Sequence, residues 1–308
     1  MSDFNLTTSV AFIIFNRPET TEKVFEAIKQ AKPKKLFIIA DGPRSDKPGE
    51  NEKCLKTRAI TNNIDWDCEV FRNYSETNLG CRKRVSSGLD WLFENVEEAI
   101  ILEDDCLPHP SFFRFCQELL TLYRDNKNIM IVSGNKVLYD YQINESSYYF
   151  SDYLHIWGWA TWRRAWNHFD LEMKDWDINK SDDFLNEHLH YKPTIKFWKT
   201  IIQEVYDRKI DTWDCQLQYA SWKHKSLAII PAKNLVVNLG FGFEATNTTG
   251  SGGLYEKMKF QSINFPLIHP KIIEPNTYAD NLENKLFHKF GFKEKIRRVL
   301  LKLGIKIK

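Results

Sequence analysis

Val10-Ala11-Phe12-Ile13-Ile14-Phe15, running directly into Asn16-Arg17-Pro18, decides the reading of this 308-residue chain. A short unbroken apolar run suits a β-strand buried on both faces, as in a parallel sheet covered by helices. Pro18 fits the first position of a helix, where a missing N–H costs nothing. Val24, Ala27, Ile28 and Ala31 then form a stripe at helical spacing. The rhythm repeats. Leu36–Ala40 predicts a second strand, 51–62 a helix, Cys68–Phe71 a third strand and 80–94 a helix. Ala99–Leu102 predicts a fourth strand, 110–124 a helix and Ile129–Val132 a fifth strand. This β-α-β-α order implies an α/β fold with a mostly parallel sheet flanked by helices.

The second half reads differently. Eight of the ten Trp lie between Trp157 and Trp222. Helices are expected at 181–190, 194–208 and 213–224, with short strands at 227–230 and 234–238. The polar, Gly-rich stretch 240–253 suits no regular element. No linker separates the halves, so one unit is expected over 1–284, with about 1–135 as the nucleotide-sugar-binding half and 136–284 as the acceptor and catalytic half. A basic amphipathic tail follows at 285–308.

Composition excludes several classes. With 43% hydrophobic and 27% charged residues the chain is neither disordered nor collagen-like. The net charge of +2 does not suggest nucleic acid. No run of 18 apolar residues is present, so no membrane-spanning helix is expected. Met1-Ser2-Asp3-Phe4-Asn5 lacks the basic and apolar regions of a signal peptide, and the six Cys form no Cys-x-x-Cys pair. Reduced thiols in a cytoplasmic protein are therefore expected, and the sequons at Asn5, Asn73, Asn144 and Asn247 carry no meaning there.

In an open parallel sheet, ligands bind beyond the carboxyl ends of the strands. Polar residues stand at four such ends: Asn16-Arg17, Asp41-Gly42, Asn73 and Glu103-Asp104-Asp105. The acidic triplet is the sharpest of these. Three adjacent carboxylates closing an apolar strand repel one another unless they are solvated or neutralised. They form either an exposed turn or a site for a hard divalent cation that bridges phosphates. If the segment stays extended, Glu103 and Asp105 face one side and Asp104 the other.

Ile100-Ile101-Leu102-Glu103-Asp104-Asp105, followed by Pro110-Ser111-Phe112-Phe113, resembles the acidic-motif region of GT-A nucleotide-sugar glycosyltransferases. It is most similar to N-acetylglucosaminyltransferase I. Other matches follow in the same order: Arg17 and Asp41 after the first two strands, Gly158-Trp159, Trp213-Asp214, Pro231 and Gly240-x-Gly242. The Asp41-Gly42-Pro43 segment also resembles bacterial family 2 transferases. The resemblance spans about residues 9–253. It implies a GT-A (Rossmann-like) fold and an inverting, metal-dependent transfer of a sugar from a nucleotide diphosphate, UDP-linked, to a hydroxyl of a glycan or lipid-linked acceptor in surface polysaccharide synthesis.

On this reading Asn16, Arg17, Asp41, Lys83, Glu103 and Asp104 bind the donor, and Asp105 holds Mn2+ or Mg2+. Trp159, Trp213, Gly240 and Gly242 line the acceptor side or form a lid. Asp214 is the base, with Asp211 as its rival; either could instead cap the following helix. Cys215 stands where the resembling enzyme has a second Asp. Two alternatives remain open for several features. Arg82-Lys83-Arg84 either opens onto a diphosphate or forms a solvated helix face. Trp157, Trp159 and Trp162 either stack on a sugar or belong to the core, whereas Trp198 reads as helical core. His188 and His190 point apart on a helix and make a poor metal pair. His269 resembles a late metal ligand of other GT-A enzymes.

A sugar-nucleotide nucleotidyltransferase is the alternative enzyme, although the first strand is not followed by a Gly-rich phosphate loop. A glycosidase needs neither nucleotide nor metal. A non-catalytic GT-A scaffold or glycan-binding module is the remaining alternative. The tail holds nine Lys/Arg against one acid, whereas the first 284 residues hold 34 basic and 40 acidic residues. Phe292, Ile296, Val299, Leu300 and Leu303 share one helical face. The tail therefore suits either the inner face of an anionic membrane or packing against protein.

Overall fold

The computed structural model describes residues 4–143, 145–189, 191–240 and 258–286. In chain order the elements are β1 (Ser9–Ile14), α1 (Pro18–Ala31), β2 (Lys35–Ala40), α2 (Glu50–Ile60), β3 (Glu69–Tyr74), α3 (Gly80–Asn95), β4 (Glu98–Glu103), β5 (Cys106–Pro108) and α4 (Ser111–Leu122). They continue as β6 (Ile129–Ser133), β7 (Tyr148–Ser151), β8 (Trp159–Trp162), α5 (Arg163–Trp166), α6 (Ser181–His188), α7 (Lys192–Tyr206), α8 (Asp214–Lys223), β9 (Leu227–Pro231) and β10 (Val236–Asn238). Residues 277–286 are helical.

Eight strands form one sheet in the order β3-β2-β1-β4-β8-β6-β9-β7. β3, β2, β1 and β4 pair in parallel. β8 lies antiparallel between β4 and β6, β9 runs parallel to β6, and β7 closes the edge antiparallel to β9. Six of the eight strands thus share one direction, and the α/β expectation of a mostly parallel sheet holds. Strands from both halves of the chain belong to this single sheet. Residues 10–14 of the opening apolar run lie in β1, where every residue is buried as the lack of alternation requires, and Phe15 follows the strand half-buried. The register sets Ile14 beside Ala40 and Ile13 beside Glu103, so the carboxyl ends of β1, β2 and β4 adjoin.

The helices bury one face each. α1 covers the sheet with Val24, Phe25 and Ile28, and α4 does so with Phe112, Phe113, Phe115, Leu119 and Leu120. α3 approaches β2 closely through Gly88: a Cβ there would stand 2.5 Å from Ile39 Cγ2. A second, smaller core gathers Leu185, Ile202, Val205, Tyr219 and Trp222, with Trp198, Ile195 and Ile201 packed against it. Trp198 is thus helical core, as its spacing predicts. The Gly-rich stretch beyond Gly240, including Gly242, and the tail beyond Leu286 lie outside the described residues, as do Asn144 and His190.

Candidate active site

Arg17 ties the ends of β1 and β4 together. Its guanidinium donates to Asp105 Oδ2 at 2.7 Å and to Asp104 Oδ1 at 3.3 Å, while Phe15 N–H donates to Asp104 Oδ2 at 3.0 Å. β4 ends at Glu103, and Asp104-Asp105 form a turn. The expected alternation of the triplet therefore fails: it needs extended backbone, and in a turn both aspartates reach the same arginine. Burial, with the Asp105, Asp104 and Asp214 carboxylates, pushes Glu103 above the ordinary carboxyl range. Burial and Asp105 do the same to Asp104, against the pull of Arg17. Burial alone would weaken the Arg17 charge, but Asp104 and Asp105 outweigh it and raise its pKa.

Asp105 has further neighbours. Asn238 Nδ2 and the Cys106 thiol each lie 3.4 Å from its Oδ1. Leu239 N–H donates to its backbone carbonyl at 2.7 Å. β10 pairs with β5, so the chain passes directly over the acidic turn. A Cβ on Gly240 would collide with Asp105 Oδ2, so a larger residue there would push this carboxylate aside. The sequence points to Gly240 and to Asp105 separately. Nothing in the sequence singles out Asn238, because a pairing of two three-residue strands leaves no periodic signal.

Asp41 is buried, and its two oxygens accept from the N–H groups of Gly42, Leu79 and Gly80 and from the Asn78 amide, at 2.8–3.1 Å. Burial raises its pKa while these donors oppose the rise. The carboxylate thus clamps the 78–80 turn that begins α3. Asn16 donates to Glu50 Oε1 at 2.9 Å, and Glu50 also holds Arg44. Arg84 is buried and donates to the Asn73 carbonyl and side-chain oxygens, whereas Arg82 reaches the Leu171 carbonyl and Glu172. Of the Arg82-Lys83-Arg84 trio only Lys83 is exposed, so the three do not form one solvated face: Arg82 and Arg84 are taken up by protein partners and Lys83 faces solvent.

Asp214 and Asp211 flank the start of α8, and both are exposed. Neither is the N-cap, which is Trp213 and lacks a side-chain capping bond. Asp211 instead accepts Cys81 N–H at 3.0 Å. Asp214 Oδ1 takes the Thr212 hydroxyl and, at 2.8 Å, Cys215 N–H, while no described residue donates to its Oδ2. After burial itself, Glu103, Asp214, Asp211 and Asp41 push up the Cys81 thiol. The ends of β2 and β4 and the start of α8 are therefore within electrostatic reach of one point.

Trp159 and Trp213 are 1% and 2% exposed and stack on each other with ring centroids 5.6 Å apart. Trp162 is buried as well. These rings are core, so neither Trp159 nor Trp213 offers a free face for sugar stacking; Trp157 alone of that stretch is half-buried. His269 Nδ1 lies 2.9 Å from the Tyr148 hydroxyl at the start of β7, the edge strand. Among the described residues, no group of three or more His, Cys, Asp or Glu is arranged to hold a metal ion. Asp105 offers one carboxylate, and magnesium-like ions accept one or two carboxylates, with phosphate oxygens and water filling the rest of their shell.

No family model and no curated protein matches the sequence. Solved structures with a partial likeness include 4-diphosphocytidyl-2C-methyl-D-erythritol synthase from Anaerococcus prevotii DSM 20548. It is 12% identical with a TM-score of 0.31, over 51% of this chain and 72% of that one. UDP-glucose pyrophosphorylase complexed with UDP-glucose is 12% identical with a TM-score of 0.25, over 47% and 62% of the two chains. Apo UDP-glucose pyrophosphorylase is 9% identical with a TM-score of 0.36, over 75% and 93%. No helix among the described residues is long and apolar enough to cross a membrane.

Proposed function

We propose that the chain is a GT-A-type inverting glycosyltransferase that moves a sugar from a nucleotide diphosphate to an acceptor hydroxyl. The observation that carries this reading is the placement of Asp214. One of its oxygens is held by Thr212 and Cys215 N–H, the other has no described donor, and the side chain is exposed within electrostatic reach of the acidic end of β4. A carboxylate so held can take the proton of an attacking hydroxyl. Arg17 stands where a diphosphate leaving group needs positive charge, braced by Asp104 and Asp105. Asp105 would hold Mn2+ or Mg2+ in company with the diphosphate, and the ion would supply charge neutralisation as the diphosphate departs. Glu103 and Asp104 complete the donor edge. The Gly-rich segment that begins at Gly240 would close over the donor, and the basic tail would bring the protein to a lipid-linked acceptor.

Sugar-nucleotide nucleotidyl transfer is the second reading, and it is the type of activity named for the solved structures above. Against it, the first glycine of the chain is Gly42, so β1 leads into α1 without a Gly-rich phosphate loop. A panel of nucleotide sugars with manganese and mixed glycan acceptors tests the proposal. Release of nucleoside diphosphate with sugar transfer supports it. Pyrophosphate release from a nucleoside triphosphate and a sugar phosphate supports the second reading instead. Nucleotide binding without turnover in either assay indicates a non-catalytic module.

A further inference from the structure

Two segments 130 residues apart meet at a single carboxylate. Asp211 Oδ2 accepts the N–H of Cys81, in the first turn of α3, at 3.0 Å. Gly80 makes room for it: a Cβ there would stand 2.8 Å from the same oxygen, and its φ of +78° is one that side chains rarely adopt. The neighbouring N–H groups of Leu79 and Gly80 go to Asp41. The start of α3 is thus shared between a carboxylate at the end of β2 and one just before α8. Its exposed N–H groups, and the positive end of the helix dipole, favour both anions.

The stretch from Asp211 to Asp214 is braced on its other sides. Thr212 donates its hydroxyl to Asp214 Oδ1, and its carbonyl accepts from the Gln216 amide at 2.8 Å. Trp213 is buried and stacked on Trp159 of β8. Trp213 anchors this turn in the core, and Asp211 anchors it to α3. The two contacts together fix where Asp214 stands relative to the strand ends.

We infer that Asp211 is a positioning residue, tethering the turn before α8 to α3 so that Asp214 faces the donor edge. The inference rests on the reading of Asp214 as the base. Each aspartate keeps one oxygen without a described donor, so what sets Asp211 apart is that its bond crosses to another element, α3, whereas those of Asp214 stay within its own turn.

The test uses the full chain with Asp211→Ala, Asp211→Asn and Gly80→Ala. Hydrogen exchange is followed at the amides of residues 81 and 212–216, and nucleoside diphosphate affinity and sugar-transfer rates are measured on the same preparations. Asp211→Ala and Gly80→Ala should both speed exchange at these amides. They should lower kcat by about 10²-fold, the size of effect expected from a small misplacement of a catalytic group, with nucleotide affinity nearly unchanged. Asp211→Asn keeps an oxygen acceptor and should recover most of both. Wild-type exchange at these amides in Asp211→Ala overturns the tether whether or not the chain transfers sugar. An Asp211→Asn variant with native exchange but no turnover makes Asp211 the proton acceptor and overturns the positioning role. Absence of sugar transfer by the wild type with every donor sinks the proposed function, and exchange alone then decides the tether.

Discussion

His155 and Glu283 meet inside the protein: imidazole Nε2 lies 2.8 Å from carboxylate Oε1, and both side chains are buried. One turn away, Asp280 accepts the Ser151 hydroxyl at 2.6 Å and Asp152 N–H at 3.1 Å. These contacts fasten the helical residues 277–286 onto β7 and the segment after it. His155 also sits 3.2 Å from the Asn135 carbonyl, and Asn135 in turn accepts Trp157 N–H. The end of the described chain is therefore joined to the Trp157-Gly158-Trp159 stretch beside the candidate site.

This fastening should weaken as pH rises. Burial lifts Asp280 from 3.8 to about 7, so the fold keeps a proton that the unfolded chain releases. That contribution is complete below about 4 and is lost as pH climbs toward 7. Burial alone would lower His155, but Glu283 outweighs it and the net shift is upward. Its contribution has the same sign, present below the unfolded value of 6.5 and lost above the folded one. His109, His168, His188 and His224, which burial lowers, act in the opposite sense, so the measurement must be a difference. Asp280→Asn mimics the protonated carboxyl, its carbonyl facing Asp152 N–H and its amide facing the Ser151 hydroxyl. Urea unfolding of this variant and the wild type at pH 5–8 should show the variant gaining relative stability with pH, about 1.4 kcal/mol for each unit over which only the fold keeps the proton. Parallel pH curves would refute this account.

Gly88→Ala should destabilise the protein. Alanine normally favours a helix over glycine by about 1 kcal/mol. Here the added methyl meets Ile39 Cγ2 near the carboxyl end of β2, where the side chain is fully buried. Overpacking of this kind costs about 1–3 kcal/mol. A lower denaturation midpoint with an unchanged denaturant slope is expected, and a raised midpoint would show that α3 can shift freely.

The sheet was legible wherever strands are buried on both faces. Val10–Phe15, Leu36–Ala40 and Ala99–Leu102 are unbroken apolar runs, and each forms a strand. β7 and β8 left no such mark. Each is four residues long and aromatic, Tyr-Tyr-Phe-Ser in β7 and Trp-Ala-Thr-Trp in β8, too short to show a period. Their place was also illegible, since β8 reverses direction to enter between β4 and β6. The strand-end residues could be picked out because a parallel sheet gathers its carboxyl ends. The partners of those residues could not. Asp41 clamps a turn, Asn16 holds Glu50 and Asp211 reaches Cys81, all through contacts distant in sequence.

Asp105→Ala should remove the part of nucleoside diphosphate affinity that depends on manganese. Asp105 is the carboxylate of the acidic turn that Arg17 approaches most closely and over which Gly240 passes. Calorimetric titration with and without manganese measures the difference directly. A metal-dependent increment equal to that of the wild type would show that the cation is held elsewhere.

Asp214→Asn should bind donor normally and lose most turnover, because an amide cannot accept the proton. General-base catalysis typically contributes about 10²–10⁴-fold. The amide can still accept Thr212 and Cys215 N–H through its oxygen, so the turn should keep its shape. Near-wild-type kcat in this variant would exclude Asp214 as the base.

Charge reversal in the tail should release the protein from anionic membranes. Residues 285–308 include nine Lys/Arg, and at helical spacing Lys293, Lys295, Arg297 and Arg298 would flank a face of Phe292, Ile296, Val299, Leu300 and Leu303. The segment leading to it exposes Ile268, Ile272, Ile273 and Tyr278. Each basic residue near an anionic surface contributes about 1 kcal/mol, weakened by salt. Insertion of an apolar stripe adds to this attraction in proportion to the apolar area buried. The full chain should therefore sediment with phosphatidylglycerol vesicles at low salt, come off at high salt and ignore phosphatidylcholine vesicles. Changing Lys293, Lys295, Arg297 and Arg298 together to glutamate reverses four charges and should abolish sedimentation without altering the unfolding midpoint. If the apolar face packs on the body of the protein instead, vesicles will capture neither version. A lower unfolding midpoint in the variant would then identify the tail as part of the fold.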